Sequence, residues 1–154
     1  MFARSDGYLW KWSLDVQWRR SSTQLIVANS SNFYDAEAAF IIDSNQDGFN
    51  GAPSLTSIES NGLELARDAA GRLFAGTTPL YAGATHITVD TYAAYGYTPA
   101  AVETIDGTNQ LVFARSDGYL WKWSLDGQWR RSNTQLIGNS DAGYNQTQID
   151  FNLI

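Results

Sequence analysis

Residues 113–137 read FARSDGYLWKWSLDGQWRRSNTQLI, and residues 2–26 read FARSDGYLWKWSLDVQWRRSSTQLI. The two copies lie 111 residues apart (2 to 113) and differ only at Val16/Gly127 and Ser22/Asn133. In the second copy Tyr119, Trp121, Trp123 and Leu125 alternate with Leu120, Lys122 and Ser124. A period of two rich in aromatics predicts a half-buried strand. A second strand is predicted over Gln110–Arg115, and Ser116-Asp117-Gly118 between them is a tight turn with glycine for positive φ. Asp126-Gly127 predicts a further hairpin turn into Gln128-Trp129-Arg130. The first copy carries Val16 there, and a β-branched residue resists positive φ, so its turn is expected to be looser or of another type.

Working outward, Leu63–Asp68 and Gly71–Ala75 echo the same strand, polar turn, strand order, and further strands are predicted over His86–Asp90 and Ala101–Ile105. Tyr95-Gly96-Tyr97-Thr98-Pro99 reads as a turn or loop. One segment breaks the pattern. Phe33–Ile42 is alanine-rich, with Phe33, Glu37, Phe40 and Ile41 at helical spacing and Ser30 or Ser31 available as N-cap. The expected fold is mainly β, an antiparallel meander of hairpin repeats with one short helix. Residues 1–53 are expected to be the C-terminal part of one repeat module (hairpin, helix, loop). Residues 54–154 are expected to form a nearly complete second module. Both ends of the chain are expected to cut through a repeating unit of a longer modular protein.

The 154 residues, 44% hydrophobic and 14% aromatic, supply a core and exclude a disordered tail. No apolar run is long enough to span a membrane, and MFARSDGYLW has no signal-peptide pattern. Cysteine is absent, which excludes disulfides and thiolate metal sites. The net charge is −6, which argues against nucleic acid as the main partner. The charge is unevenly placed: each copy holds four basic residues against two acids, while residues 27–112 hold ten acids and two arginines. The basic copies could meet an acidic surface, including that middle segment.

After the helix comes Asp43-Ser44-Asn45-Gln46-Asp47-Gly48-Phe49-Asn50-Gly51. Oxygen side chains at loop positions 1, 3 and 5 followed by glycine at 6 form the first half of an EF-hand-type calcium loop. Alternate side chains converge on a hard cation while the glycine permits the sharp turn. Asp43, Asn45 and Asp47 are the candidate side-chain ligands, and the Phe49 carbonyl would supply position 7. Position 12 is Ser54 rather than a bidentate glutamate, so a last ligand must come from elsewhere, with Glu37 and Glu59 as candidates. The alternative is an Asn/Asp/Gly-rich turn that binds nothing.

The pattern Tyr34-x-x-Glu37-x-x-Phe40-x-x-Asp43-x-Asn45-x-Asp47-Gly48-x-x-Gly51, following a tryptophan-rich meander, resembles the tryptophan-rich modules of large secreted cyanobacterial and marine bacterial proteins. Those modules often accompany RTX-type calcium repeats in adhesin-like or hemolysin-like chains. The resemblance implies a non-catalytic, extracellular or cell-surface tandem module stabilised by calcium, with neighbouring repeat modules as partners. At the same offset Glu37 meets Gln148 and Asp43 meets Ile154, so the second module is expected to lack its metal loop.

All six tryptophans lie in the two copies. Trp121 and Trp123, on one strand face, are expected to fill a core. Trp18 and Trp129, followed by Arg19 and Arg130, are expected to be more exposed. They carry a second functional reading, a lectin-like surface on which a flat ring stacks against a glycan. Tyr92, Tyr95 and Tyr97 either line a groove or pack. His86 is the single histidine, which excludes a multi-histidine zinc site within one chain, and no GxSxG nucleophile motif accompanies it. The first copy's hairpin lacks earlier strands of its own, leaving open sheet edges that would pair within the chain or in a homo-oligomer or swapped dimer.

Overall fold

The computed structural model describes residues 1–4, 8–45 and 48–154. The fold is mainly β, 43% strand and 13% helix, with antiparallel sheets and two short helices. The chain divides into two compact units, Met1–Pro53 and Ser54–Ile154.

Unit 1 holds β1 (Phe2–Ala3), β2 (Leu9–Leu14), β3 (Arg20–Ile26) and α1 (Ser31–Phe40). The strands form one sheet in the order β1-β2-β3. Ser30 caps α1, its Oγ accepting the Phe33 N–H at 3.2 Å, which satisfies one of the free donors of the first turn. The helix ends at Ile41 in the left-handed region, φ 53°. Its buried side chains are Phe33, Tyr34, Ala36 and Glu37. Phe40 and Ile41, expected on the apolar face, are instead 50% and 77% exposed. Leu9 and Ile26 meet Phe33, Tyr34 and Ala36 in this unit's core.

Unit 2 opens with β4 (Thr56–Glu59), β5 (Leu65–Arg67), β6 (Leu73–Ala75) and β7 (Thr78–Pro79), paired in that order. A small pair follows, β8 (Tyr81–Ala82) with β9 (Thr85–His86). The strand expected over His86–Asp90 therefore ends at His86. A short 3-10 turn over Ala93–Tyr95 and Gly96 at φ 77° lead into the second sheet. That sheet runs β10 (Tyr97–Ile105), β11 (Thr108–Arg115), β12 (Leu120–Leu125) and β13 (Arg131–Ile137), in sequence order. Strand β10 begins inside the segment read as a loop. Pro99 is accommodated because β10 is an edge strand and its register shifts between Pro99 and Ala101, where a missing N–H costs no ladder bond. A second helix, α2 (Tyr144–Asp150), closes the unit. One helix was expected from the sequence; α2 falls within residues 142–151, the span onto which α1 maps at the 111-residue offset.

Strands β10–β12 of this sheet carry core residues on both faces, while β13 is exposed except at Ile137. Val102, Leu111, Phe113, Trp123 and Leu125 pack with Leu65, Leu73, Leu80 and Ile87. The opposite residues Ala101, Val112, Leu120 and Ile137 pack with Phe151 at the end of α2. Leu120, read as the outer phase of the strand, is thus core. Unit 1 carries only the second of these two faces as a core.

One turn recurs. The Asp15 N–H donates to the Arg19 carbonyl at 2.8 Å and the Trp18 N–H to the Asp15 carbonyl at 3.0 Å, and the Asp126/Arg130 and Trp129/Asp126 bonds repeat those distances. Each aspartate Oδ1 also accepts two N–H groups at 2.9 Å, from Gln17 and Arg19 or from Gln128 and Arg130. Asp68, with Gly71 and Arg72, builds the same turn. Burial alone would raise the Asp68 pKa, but the hydrogen bonds and charge of Arg72 and the Ala70 N–H hold it below the ordinary carboxylate value.

The Val16 turn is therefore not looser than the Gly127 turn, contrary to expectation. The position of positive φ is two residues later, at Trp18 (62°) and Trp129 (59°), where the Asp68 turn has Gly71 (78°). A tryptophan there pays the left-handed penalty of about 1–2 kcal/mol that glycine escapes. Because Trp18 is 83% exposed, Trp18→Gly is expected to be more stable than Trp18→Ala by about 1 kcal/mol, read from paired denaturation midpoints. Equal midpoints would mean that the turn relaxes to another shape.

Candidate functional site

The loop after α1 closes on itself and on the helix. The Gly48 N–H donates to Asp43 Oδ2 at 2.9 Å, and Gly48 takes φ 88°, the sharp turn expected at loop position 6. Glu37, fully buried on α1, reaches into the loop: its Oε1 accepts the N–H groups of Ser44 at 2.7 Å and Asn45 at 3.3 Å. The Asn45 side chain donates to Asn29 Oδ1 at 2.9 Å. Gly51, at φ 129°, lies where a Cβ would sit 3.3 Å from the Ala38 Cβ and 3.5 Å from the Tyr34 carbonyl. The loop thus returns to the helix it left, and a side chain at position 51 would push it away.

Of the predicted ligands, Asp43, Asn45 and Glu37 are brought together here, and Phe49 lies half-buried in the same loop. Asp47 lies outside the described residues. Glu59 stands on β4 of unit 2, where its carboxylate accepts the Asn61 N–H. Among the described residues no group of three or more His, Cys, Asp or Glu side chains is placed to hold a metal.

The tryptophan–arginine pairs separate. Trp18 and Arg19 are exposed in unit 1. In unit 2, Trp129 is half-buried against the core, and its carbonyl accepts the Tyr81 N–H at 3.1 Å. Arg130 lies over the Tyr81 ring at 5.3 Å and donates to the Gly83 carbonyl at 3.3 Å. The one pair is open to a ligand; the other is occupied by packing. His86 lies with its ring 4.3 Å from that of Tyr81.

Two aromatic hollows flank the repeated hairpins. In unit 2, Tyr92, Tyr95, Tyr97, Arg115, Trp121 and Leu136 line a groove of about 480 Å³. Arg115 grips Asp117 in a bidentate pair at 2.7 and 2.8 Å, which holds the Asp117 carboxyl below its ordinary value, and it lies over Tyr97 and Tyr119. In unit 1, Phe2, Trp10, Trp12, Arg20 and Thr23 line an open pocket of about 220 Å³. The sequence reading did not single out Phe2, Trp10, Trp12 or Arg20 as a pocket. A signal was present for Trp10 and Trp12 alone, the copied positions of Trp121 and Trp123, which were expected to be core. Comparison with protein-family models, with curated proteins and with solved structures finds no match to this chain.

Proposed function

We propose that this chain is a non-catalytic, extracellular structural or adhesive module of a tandem array, stiffened by one calcium ion at the loop 43–51. The observation that carries the tandem reading is the repeated build of three antiparallel strands and a helix, β1–β3 with α1 and β11–β13 with α2. A hairpin with two apolar faces that recurs at a fixed offset is a unit made to stack on neighbours of its own kind.

The residues around Asp43 suit a hard cation. Asp43 and Asn45 offer oxygen side chains, Phe49 a backbone carbonyl, and Glu37 a carboxylate already turned from the helix into the loop. Bound calcium would supply the positive charge that fixes these oxygens together, so the loop would be ordered onto α1 and the folded state favoured by mass action. A calcium-specific rise in melting midpoint is expected relative to magnesium and to chelator. The stabilisation behind it should be about 2.7 kcal/mol at a hundredfold excess over Kd, and the rise should be lost in Asp43→Ala and Asp47→Ala. Identical curves in all three conditions would leave the loop a plain turn.

A lectin-like reading is the alternative, favoured by the 83% exposure of Trp18 beside Arg19. An indole held outward in a strained backbone conformation offers a flat face to the apolar side of a sugar ring. Neither reading needs a membrane span, and no helix among the described residues is long and apolar enough to cross one.

A further inference from the structure

The open pocket of unit 1 has a filled twin. Phe2, Trp10, Trp12, Arg20 and Thr23 correspond at the repeat offset to Phe113, Trp121, Trp123, Arg131 and Thr134, and none of the five positions differs in residue type. In unit 2 that surface is closed by Tyr92. Its ring centroid lies 5.5 Å from Phe113, 4.7 Å from Trp121 and 5.3 Å from Trp123, all edge to face. Edge-to-face packing is the arrangement that ring quadrupoles favour. The Arg131 guanidinium, stacked over Trp123 at 4.6 Å, donates to the Tyr92 hydroxyl at 3.2 Å.

The receiving half of this arrangement is already formed in unit 1. Arg20 lies over Trp12 at 5.1 Å, as Arg131 does over Trp123. Phe2 leans on Trp12 at 4.6 Å, against 5.1 Å for Phe113 and Trp123. Yet Trp12 is 41% exposed where Trp123 is fully buried. The backbone shows the same vacancy. In unit 2, Arg115, Ala114 and Phe113 pair with Tyr97, Thr98 and Pro99 of β10, whereas their counterpart β1 is the edge strand of its sheet. An edge of this kind is a template for an added strand.

We infer that the Phe2/Trp10/Trp12/Arg20 pocket is a receptor for a tyrosine side chain, delivered by a segment of the same type as Asp90–Pro99 from a further repeat. The tyrosine ring packs edge-on against the two indoles, as Tyr92 does against Trp121 and Trp123, its hydroxyl accepts from Arg20, and the strand that follows it pairs with β1. Stoichiometry selects the occupant. Each chain holds two copies of the hairpin and one Tyr92 segment, and unit 2 already uses that segment. Exchange between two copies of the chain would vacate one hairpin for each one filled, so only an additional segment gains burial. This rests on the tandem-module reading and names the partner surface within it.

The test joins an extra copy of residues 54–112 directly ahead of Phe2 in the full chain, as those residues stand ahead of Phe113. The added segment contains no tryptophan, so the six indole N–H resonances report only on the existing hairpins. The Trp10 and Trp12 signals are expected to move to the positions of Trp121 and Trp123, and Trp12, now 41% exposed, to lose its acrylamide accessibility. Changing the added segment's tyrosine (the copy of Tyr92) to alanine, or Arg20→Gln, should return both signals toward the exposed positions.

Unmoved Trp10 and Trp12 signals in the extended chain would overturn the proposal, whether the added segment is disordered or folded elsewhere. Covered signals that survive the tyrosine-to-alanine change would overturn the role of the tyrosine. Running the samples with calcium and with chelator separates the two readings. Loss of the calcium response alone removes the metal, while loss of docking with an intact calcium response removes the pocket alone.

Discussion

Trp123→Ala is expected to cost unit 2 about 3–5 kcal/mol, while Trp12→Ala, in an identical local sequence, costs unit 1 less than about 1 kcal/mol. The difference lies in what surrounds the two indoles. Trp123 is fully buried, ringed by Phe113, Trp121 and Tyr92 within 5.5 Å and overlaid by Arg131. Truncation there leaves a cavity that the close-packed rings cannot fill, so the transfer and cavity terms add. At Trp12 water already reaches the ring, and the alanine variant loses chiefly exposed-side contacts such as those with Phe2 and Arg20. A second variant keeps the comparison readable if Trp123→Ala fails to fold. The Trp123 indole N–H has no hydrogen-bond partner among the described residues, so Trp123→Phe sheds an unmet donor and should cost much less than alanine, by about 2 kcal/mol. Urea midpoints of the four proteins decide it. Equal costs for the two alanine variants would mean that the hairpin is stabilised by its own ladder and not by what covers it.

That pair of substitutions also marks how far the sequence could be read. Strands β5, β6, β11 and β12, the Gly118 turn, a serine cap at 30 or 31 and the α1 helix follow from patterns of ten residues or fewer, which local periodicity and cap chemistry encode. The second helix was hidden because Tyr144–Asp150 lacks the alanine content of α1, and only its offset from the first copy marks it. The turns were misjudged for a different reason. Asp126-Gly127 looks like a two-residue hairpin loop, but the Asp126 side chain accepts two backbone N–H groups further on, which lengthens the loop and moves positive φ to Trp129. Comparing Asp15, Asp68 and Asp126, each followed four residues later by arginine, would have shown that glycine and tryptophan alternate in one slot.

At the candidate site, the metal loop was legible as a spacing, and the contribution of Glu37 only as one of two options. What no local pattern conveys is that the same hairpin is covered in one unit and open in the other. Coverage is a property of distant residues, Tyr92 and β10, and the hairpin's own pocket-lining letters are the same in both places.

Glu37 is where the structure makes its most demanding statement about the metal loop. A carboxylate seldom lies fully buried, and its desolvation must be offset by donors of good geometry. The N–H groups of Ser44 and Asn45 provide them, three and four residues beyond the left-handed cap at Ile41, so one side chain both stops the loop from swinging free and sets where the loop begins at Asp43. Glu37→Ala removes a charged acceptor from two backbone donors, each such bond contributing about 1.5–3 kcal/mol. Unit 1 should lose about 3 kcal/mol in all. Glu37→Gln retains an acceptor oxygen and copies the residue at the equivalent position of α2, Gln148, so a loss of about 1 kcal/mol is expected. Amide hydrogen exchange at Ser44 and Asn45 distinguishes a local from a general effect: both amides should lose protection in the alanine variant and keep most of it in the glutamine variant. The calcium-dependent rise in midpoint should weaken in both, because each removes negative charge from the loop. A full calcium response in Glu37→Ala would place the last ligand elsewhere and leave Glu37 as the clasp of the loop alone, while equal exchange in the two variants would refute the clasp itself.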